Sequence, residues 1–377
     1  MDTQKNTVTC SYGFIKKLEN LLGESNPSIL RGVLRFILTL FSYIYWMILQ
    51  IRYLLYRYSI LPIRNVPVPV ISVGNITAGG TGKTPFVIEL ANYYKDTGKE
   101  VAIVSRGYHR QADEKVQVVS DGKQILLSVS KAGDEPFLIA KKCPGVPVVV
   151  SKNRFNAAAR CIQEFNSKLI ILDDGFQHLG LFRDVDILLV DEQNPFSNKY
   201  LIPRGYLREP VTQLSRADIL CMIRKYSHKT KDPDTKIIFK KPVFSVLYEP
   251  WNLVGSDLNQ VASLEYLIGK NLIVFCGIGN PQPFLNWVNA SGGSVKQIFL
   301  FDDHHNYKIQ DMEMLNRAKE NWNAQILLTT EKDIVKIAAL NRNIEIMAVS
   351  MRLKLEDSET NQQVYEQINS LLFRNLQ

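Results

Sequence analysis

The densest run of side chains able to do chemistry is Thr77-Ala78-Gly79-Gly80-Thr81-Gly82-Lys83-Thr84. Three glycines let a backbone curl until successive N–H groups point at one anion. The Lys83 ammonium can then reach the outer phosphates of a nucleoside triphosphate, and the Thr84 hydroxyl can ligate Mg²⁺. The general pattern has Gly where this chain has Thr77, so the string by itself also admits a plain glycine-rich turn. A second string, Asp173-Asp174-Gly175-Phe176-Gln177-His178, sets two carboxylates side by side. Paired acids raise each other's pKa, and a nearby cation resolves the conflict, so the pair suits a magnesium-organising site. A third stretch, residues 201–210, carries Arg204 and Arg208, which can clamp phosphates or sit solvated in a loop.

These side chains need elements to hold them. Residues 68–73 are an apolar, β-branched run, and beyond Pro85 the residues Val87, Leu90, Ala91 and Tyr94 share one helical face. Strand, glycine loop and helix in that order is the context of a phosphate-binding loop, and the helix start adds the positive end of its dipole. That context decides for nucleotide binding over a chance turn. Residues 100–105 form a second strand, which implies a right-handed parallel crossover. Residues 169–172 are a buried strand that delivers Asp173 and Asp174 at its carboxyl end. Asp121-Gly122 predicts a hairpin turn. In Gly133-Asp134-Glu135-Pro136, Asp134 stands where an N-cap opens a helix. Further strands are expected over 146–150 and 185–190, with a helix over 153–165.

The length of 377 residues suggests two domains. The net charge of +8 comes from 45 basic and 37 acidic residues. Residues 1–66 hold eight Lys/Arg against three acids, a net +5 that leaves only +3 to the rest of the chain. The basic excess thus belongs to the N-terminal segment, and no nucleic-acid face is expected. The five cysteines, Cys10, Cys143, Cys161, Cys221 and Cys276, lack zinc spacing and suggest unpaired thiols in a reducing compartment. The first 28 residues lack the pattern of a secretory signal.

Residues 29–58 are apolar and aromatic, with a 14-residue uncharged run from Phe36 to Leu49. As a helix that run is about 21 Å long, short of a roughly 30 Å hydrocarbon core. Arginines on both sides give no crossing direction, and Tyr43, Tyr45, Trp46, Tyr53 and Tyr56 favour headgroup depth. The reading is a helix lying in the cytoplasmic leaflet; a buried helix and a single span are the alternatives. The polar stretch 226–234 is read as a linker. Domains are therefore expected at 1–66 (N-terminal membrane-associated helical segment), 67–230 (P-loop parallel-sheet domain) and 231–377 (smaller α/β domain), with a terminal helix over 356–375. Gly277-Ile278-Gly279-Asn280-Pro281 alone is a weak nucleotide signal and is assigned none.

Together these strings resemble the tetraacyldisaccharide 4′-kinase (lipid A 4′-kinase) family over roughly residues 66–336. The landmarks are Val73-Gly74-Asn75 with residues 77–85, Ser105-Arg106-Gly107-Tyr108, Gly133-Asp134-Glu135-Pro136, the string at 173–178, Arg183-Asp184, residues 203–210, the Gly277 string, Asp303-His304, and Thr330-Glu331-Lys332-Asp333. Thr77 fits this family's version of the loop. The resemblance implies two α/β domains facing a cleft with a hinge. It implies transfer of the ATP γ-phosphoryl group to the 4′-hydroxyl of a tetraacylated glucosamine disaccharide 1-phosphate. ATP would lie on residues 77–84. Lys83 and Arg208 would neutralise charge, and Asp134 would be the base, paired with His304 from the second domain. Mg²⁺ would be held by Asp174, Thr84 and, as a further candidate, Asp173. Partners implied are the acylated disaccharide and a membrane surface, with no nucleic acid and no obligate protein partner. The location implied is peripheral or monotopic on the cytoplasmic face of the bacterial inner membrane. Pro203-Arg204-Gly205-Tyr206 departs from the pattern and leaves Arg204 without an assigned role. A rival reading is a membrane-associated P-loop ATPase switch; such loops carry Lys where this chain has Ala78.

Overall fold

The computed structural model describes residues 7–9, 29–107, 115–225, 239–338, 340, 345–355 and 358–374. Tyr108, Cys10 and the expected linker at 226–234 lie outside them. In chain order the elements begin with β1 (Thr7–Thr9), α1 (Ile29–Arg57), β2 (Val70–Gly74), α2 (Lys83–Asp96), β3 (Val101–Ser105), β4 (Val116–Asp121), α3 (Val129–Ala132) and α4 (Asp134–Lys142). They continue with β5 (Pro147–Ser151), α5 (Arg154–Phe165), β6 (Leu169–Asp173), β7 (Val185–Asp191), β8 (Ile219–Lys225), β9 (Val243–Val254) and β10 (Gln260–Ala262). The remainder are β11 (Asn271–Cys276), α6 (Gln282–Ala290), β12 (Ser294–Leu300), α7 (Ile309–Asn321), β13 (Ile326–Thr330), α8 (Glu331–Ile337), β14 (Ile346–Leu355) and α9 (Ser358–Arg374).

The chain groups into two compact units. One is built from residues 26–248 and 353–377, the other from 249–352 with β1. In the first unit the strand order is β9-β8-β7-β2-β6-β3-β5-β4, parallel throughout except for β4. The strands β2, β3, β5 and β6 are buried along their whole length, as parallel strands covered on both faces must be. One face packs on α2, α4 and α9 and the other on α5. The second unit carries β1-β12-β11-β13-β14, all parallel, and the antiparallel pair β9–β10.

The division falls at 248/249 and 352/353, not near 230. The reason is β9, a 12-residue strand that runs through the first boundary. Its first half pairs with β8 and its second half with β10. The C-terminal helix α9 then returns to the first unit, where Val364, Ile368 and Leu372 join the core around α2. Residues 29–57 also group with this unit and make no separate domain. The Asp121-Gly122 turn forms, with Leu126 donating back to Val119, but the main partner of β4 is β5.

Candidate active site

The strand β2 lies between β6 and β7, so its carboxyl end, the end of β6 and the start of α2 meet at one place. Chain direction reverses across this point in the strand order, which is where open α/β sheets bind ligands. Gly82 caps α2 with φ 83°, and Gly79 has φ 113°, conformations that side chains with a Cβ rarely adopt. At Gly74 the constraint is space: a Cβ would lie 2.5 Å from that of Phe176. The loops after β2 and β6 are thereby pressed together.

Four side chains converge there. Lys83 Nζ lies 3.1 Å from Asn75 Oδ1 and 3.5 Å from Asp174 Oδ1. Arg208 holds both Asp174 oxygens, at 3.0 and 2.9 Å, and also bonds Asn75 Oδ1. Such a two-point clamp fixes orientation as well as charge. Burial would raise the Asp174 pKa, but Lys83 and Arg208 outweigh it and hold the carboxyl well below the usual range. Asp174 also has φ 53°, a left-handed backbone that few side chains tolerate. Asp173 behaves oppositely: burial, then the charges of Glu135 and Asp174, raise it. Ser105 donates to its Oδ2 at 2.7 Å, while its buried Oδ1 has no hydrogen-bond partner. Two carboxylates, one with an unused buried oxygen, are the hard donors Mg²⁺ takes. No trio of His, Cys, Asp and Glu side chains forms a metal cage among the described residues.

Residues 206–208 are zipped to the glycine loop. Ala78 N donates to Tyr206 O at 2.6 Å and Arg208 N donates to Ile76 O at 2.7 Å. The Ala78 N–H is therefore already engaged. Lys225 Nζ bonds Gly80 O at 2.5 Å and Asp191 at 3.0 Å, bracing the loop from β8. Arg204 lies with its guanidinium over the Tyr200 ring at 4.8 Å. Asp134 is buried in the first turn of α4, where Gly133, not Asp134, is the N-cap. Its charge still suits the positive end of that helix.

In the second unit His304, with φ 59°, has Nε2 3.2 Å from Lys332 Nζ, and Lys332 reaches Asp303 at 3.6 Å. The same Nε2 lies 3.9 Å from Asp303 Oδ2. His305 instead bonds Asp311 at 3.0 Å and stacks on Phe301, a structural role.

The family described as tetraacyldisaccharide-1-P 4′-kinase matches this chain over residues 34–369. The chain belongs to that family. It is 35% identical to the tetraacyldisaccharide 4′-kinase of Syntrophus aciditrophicus, covering 91% of this chain and 96% of that protein. It is 36% identical to the enzyme of the same name from Aquifex aeolicus, covering 87% and 96%. A crystal structure of that organism's kinase, described as an "apo" form in complex with ATP, superposes with TM-score 0.74 and 34% identity, covering 90% of this chain and 99% of that one. The tetraacyldisaccharide 4′-kinase strings thus land where the structure puts Lys83, Asp173, Asp174 and Arg208 together. Asp134 sits on the same unit and His304 on the other. Asn75 and Gln177 were missed as site residues. Both lie inside quoted family strings, and Gln177 Nε2 donates to Asn75 O at 2.7 Å. Glu135 and Glu209 also lie inside quoted strings, whereas Arg216 lies in none. Glu209 is fully buried on Arg216 at 2.7 Å, and the Arg216 guanidinium covers the Phe176 ring at 4.3 Å.

Proposed function

We infer that this chain is an ATP-dependent lipid kinase, transferring the γ-phosphoryl group of ATP to the 4′-hydroxyl of a tetraacyl disaccharide 1-phosphate in lipid A biosynthesis. The observation that carries it is the convergence of Lys83, Arg208 and Asp174 on a glycine loop, in a chain of this family. Phosphoryl transfer asks a protein mainly for positioning and charge neutralisation. The free N–H groups of the loop and the start of α2 cradle the phosphates. Lys83 and Arg208, now paired to Asp174, can transfer their hydrogen bonds to phosphate oxygens. Asp134 takes the proton of the acceptor hydroxyl as the new O–P bond forms and the bond from Pγ to the bridging oxygen breaks, releasing ADP. His304, on the other unit, is a further candidate for the proton-transfer step, to be tested by its own variant. Asp174, Thr84 and Asp173 are the residues for Mg²⁺, which when bound supplies charge neutralisation on the phosphates.

The membrane part of the reading rests on α1. By length and composition Gly32–Arg57 could cross a membrane, and 11% of its apolar window is buried. Its outward residues are apolar, among them Phe36, Leu40, Ile44, Met47, Ile48 and Ile51. A wide apolar stripe flanked by arginines suits a helix seated in the cytoplasmic leaflet, beside the acceptor's acyl chains.

The test is incubation of the pure protein with γ-labelled ATP and the acylated disaccharide in detergent, followed by location of the label. Label at the 4′-oxygen, absent with Lys83→Ala, is expected. ATP hydrolysis that ignores the acceptor would instead indicate an ATPase switch.

A further inference from the structure

The side of α1 opposite its apolar stripe carries hydroxyls and a guanidinium, and these bond the loops of the phosphate site. Ser42 Oγ donates to Leu201 O at 2.8 Å and accepts from Arg204 N at 3.1 Å. Tyr45 OH donates to Arg208 O at 3.0 Å. Arg52 donates to Gln177 O at 2.6 Å, and Gln177 in turn bonds Asn75, which faces Lys83 and Arg208. Leu49 packs with Phe176, Leu201 and Leu207 in one buried cluster, with Tyr45 and Tyr53 against it. Residue 208 is therefore held three ways. Its N–H bonds the glycine loop, its guanidinium clamps Asp174, and its carbonyl is held by α1.

We propose that Tyr45 is a positioning residue for phosphoryl transfer, its hydroxyl fixing the backbone from which Arg208 reaches the phosphates. The phenol ring would pack in the cluster equally well without its oxygen. Taking a hydroxyl out of water is unfavourable unless it is bonded, and the bond made here is to the residue bearing the clamp. Small displacements of a positioning group cost rate out of proportion to their size. The proposal rests on the assignment of Arg208 to the site.

The experiment is a double-mutant cycle of Tyr45→Phe and Arg208→Ala, read as single-turnover rate on detergent-dispersed lipid, with KM for ATP, melting temperature and liposome pelleting measured alongside. Tyr45→Phe should lower the rate about tenfold, as loss of one well-placed bond does. KM for ATP, melting temperature and pelleting should stay at wild-type values. In the Arg208→Ala background the same change should add nothing, because the group it positions is gone. A wild-type rate in Tyr45→Phe beside an impaired Arg208→Ala overturns the proposal and leaves the site assignment standing. Full additivity, with or without a lowered melting temperature, marks Tyr45 as merely structural and also overturns it. A wild-type rate in Arg208→Ala overturns both.

Discussion

Asp174 keeps its charge against burial only because Lys83 and Arg208 face it, and both cations are what a triphosphate requires. If Asp134 and His304 act as one unit, Asp134→Ala and His304→Ala should each lower turnover on the order of 10²-fold or more, as general-base losses do. The double variant should be little worse than the poorer single. Additive losses in single-turnover assays would separate the two residues. His178 offers a pH test. Burial, followed by the charges of Arg154 and Arg183, brings its pKa down to about 4. The unfolded chain, near the ordinary value of about 6.5, binds a proton that the folded chain refuses. Stability is therefore full above about pH 6.5 and falls as pH drops towards about 4, by at most about 3 kcal/mol. Urea melts at pH 7.5, 6 and 5 should show this slope in the wild type and a flatter one in His178→Gln; equal slopes would contradict it. The charges of Lys83, Arg208 and Asp174 were legible in residue type, and the structure adds that the three meet. The acceptor role of Asn75 was not, because an amide acquires its meaning only from what the fold brings to it.

The helix α1 reverses the usual amphipathic arrangement, with its apolar stripe outside and its hydrogen-bonding stripe against the protein. The sequence showed no charge from Phe36 to Leu49; the helix spans 29 residues, because Arg31, Arg35, Arg52 and Arg57 lie within it. Composition could reveal apolarity but not which stripe faced the fold. That required knowing that Phe176 and the 201–208 loop wait beneath it. The two stripes should respond differently. Ile44→Glu and Met47→Glu on the outside should lower liposome pelleting with little change in melting temperature, and high salt should partly release the wild type. Leu49→Ala, inside the cluster, should cost about 2–4 kcal/mol of stability while pelleting persists in the folded fraction. A full-length protein that never pellets with anionic vesicles would leave the stripe unexplained. The strands and their order were easier to read than α1, since a β-branched run before a glycine loop has few other ways to fold.

At the scale of the molecule, the glycine loop, its braces and its core all belong to the unit formed by residues 26–248 and 353–377. ATP without acceptor should therefore raise that unit's calorimetric transition by about 2.7 kcal/mol at a hundredfold excess over Kd, and Lys83→Ala should lose most of that gain. An equal rise in Lys83→Ala would remove Lys83 from the nucleotide contacts. The two-domain plan was legible from length and from the change in pattern after residue 225, but the boundary was not. A polar stretch marks where a chain can be loose, whereas the division here falls inside a long paired strand, where composition is silent. The return of α9 was also unannounced. Tyr365 stacks on Tyr93 of α2 with ring centroids 3.6 Å apart, and Tyr94 OH bonds Asn369 at 3.0 Å. This has a consequence at birth. A ribosome makes the first part of the kinase unit, then all of residues 249–352, and only afterwards the helix that closes the seam beside α2. At roughly 5–20 residues per second, that seam stays open on the order of ten seconds in every round of translation. Over that interval the nascent chain offers chaperones a hydrophobic groove shaped for its own last helix, and a ribosome stalled within 249–352 leaves that groove for proteases to find.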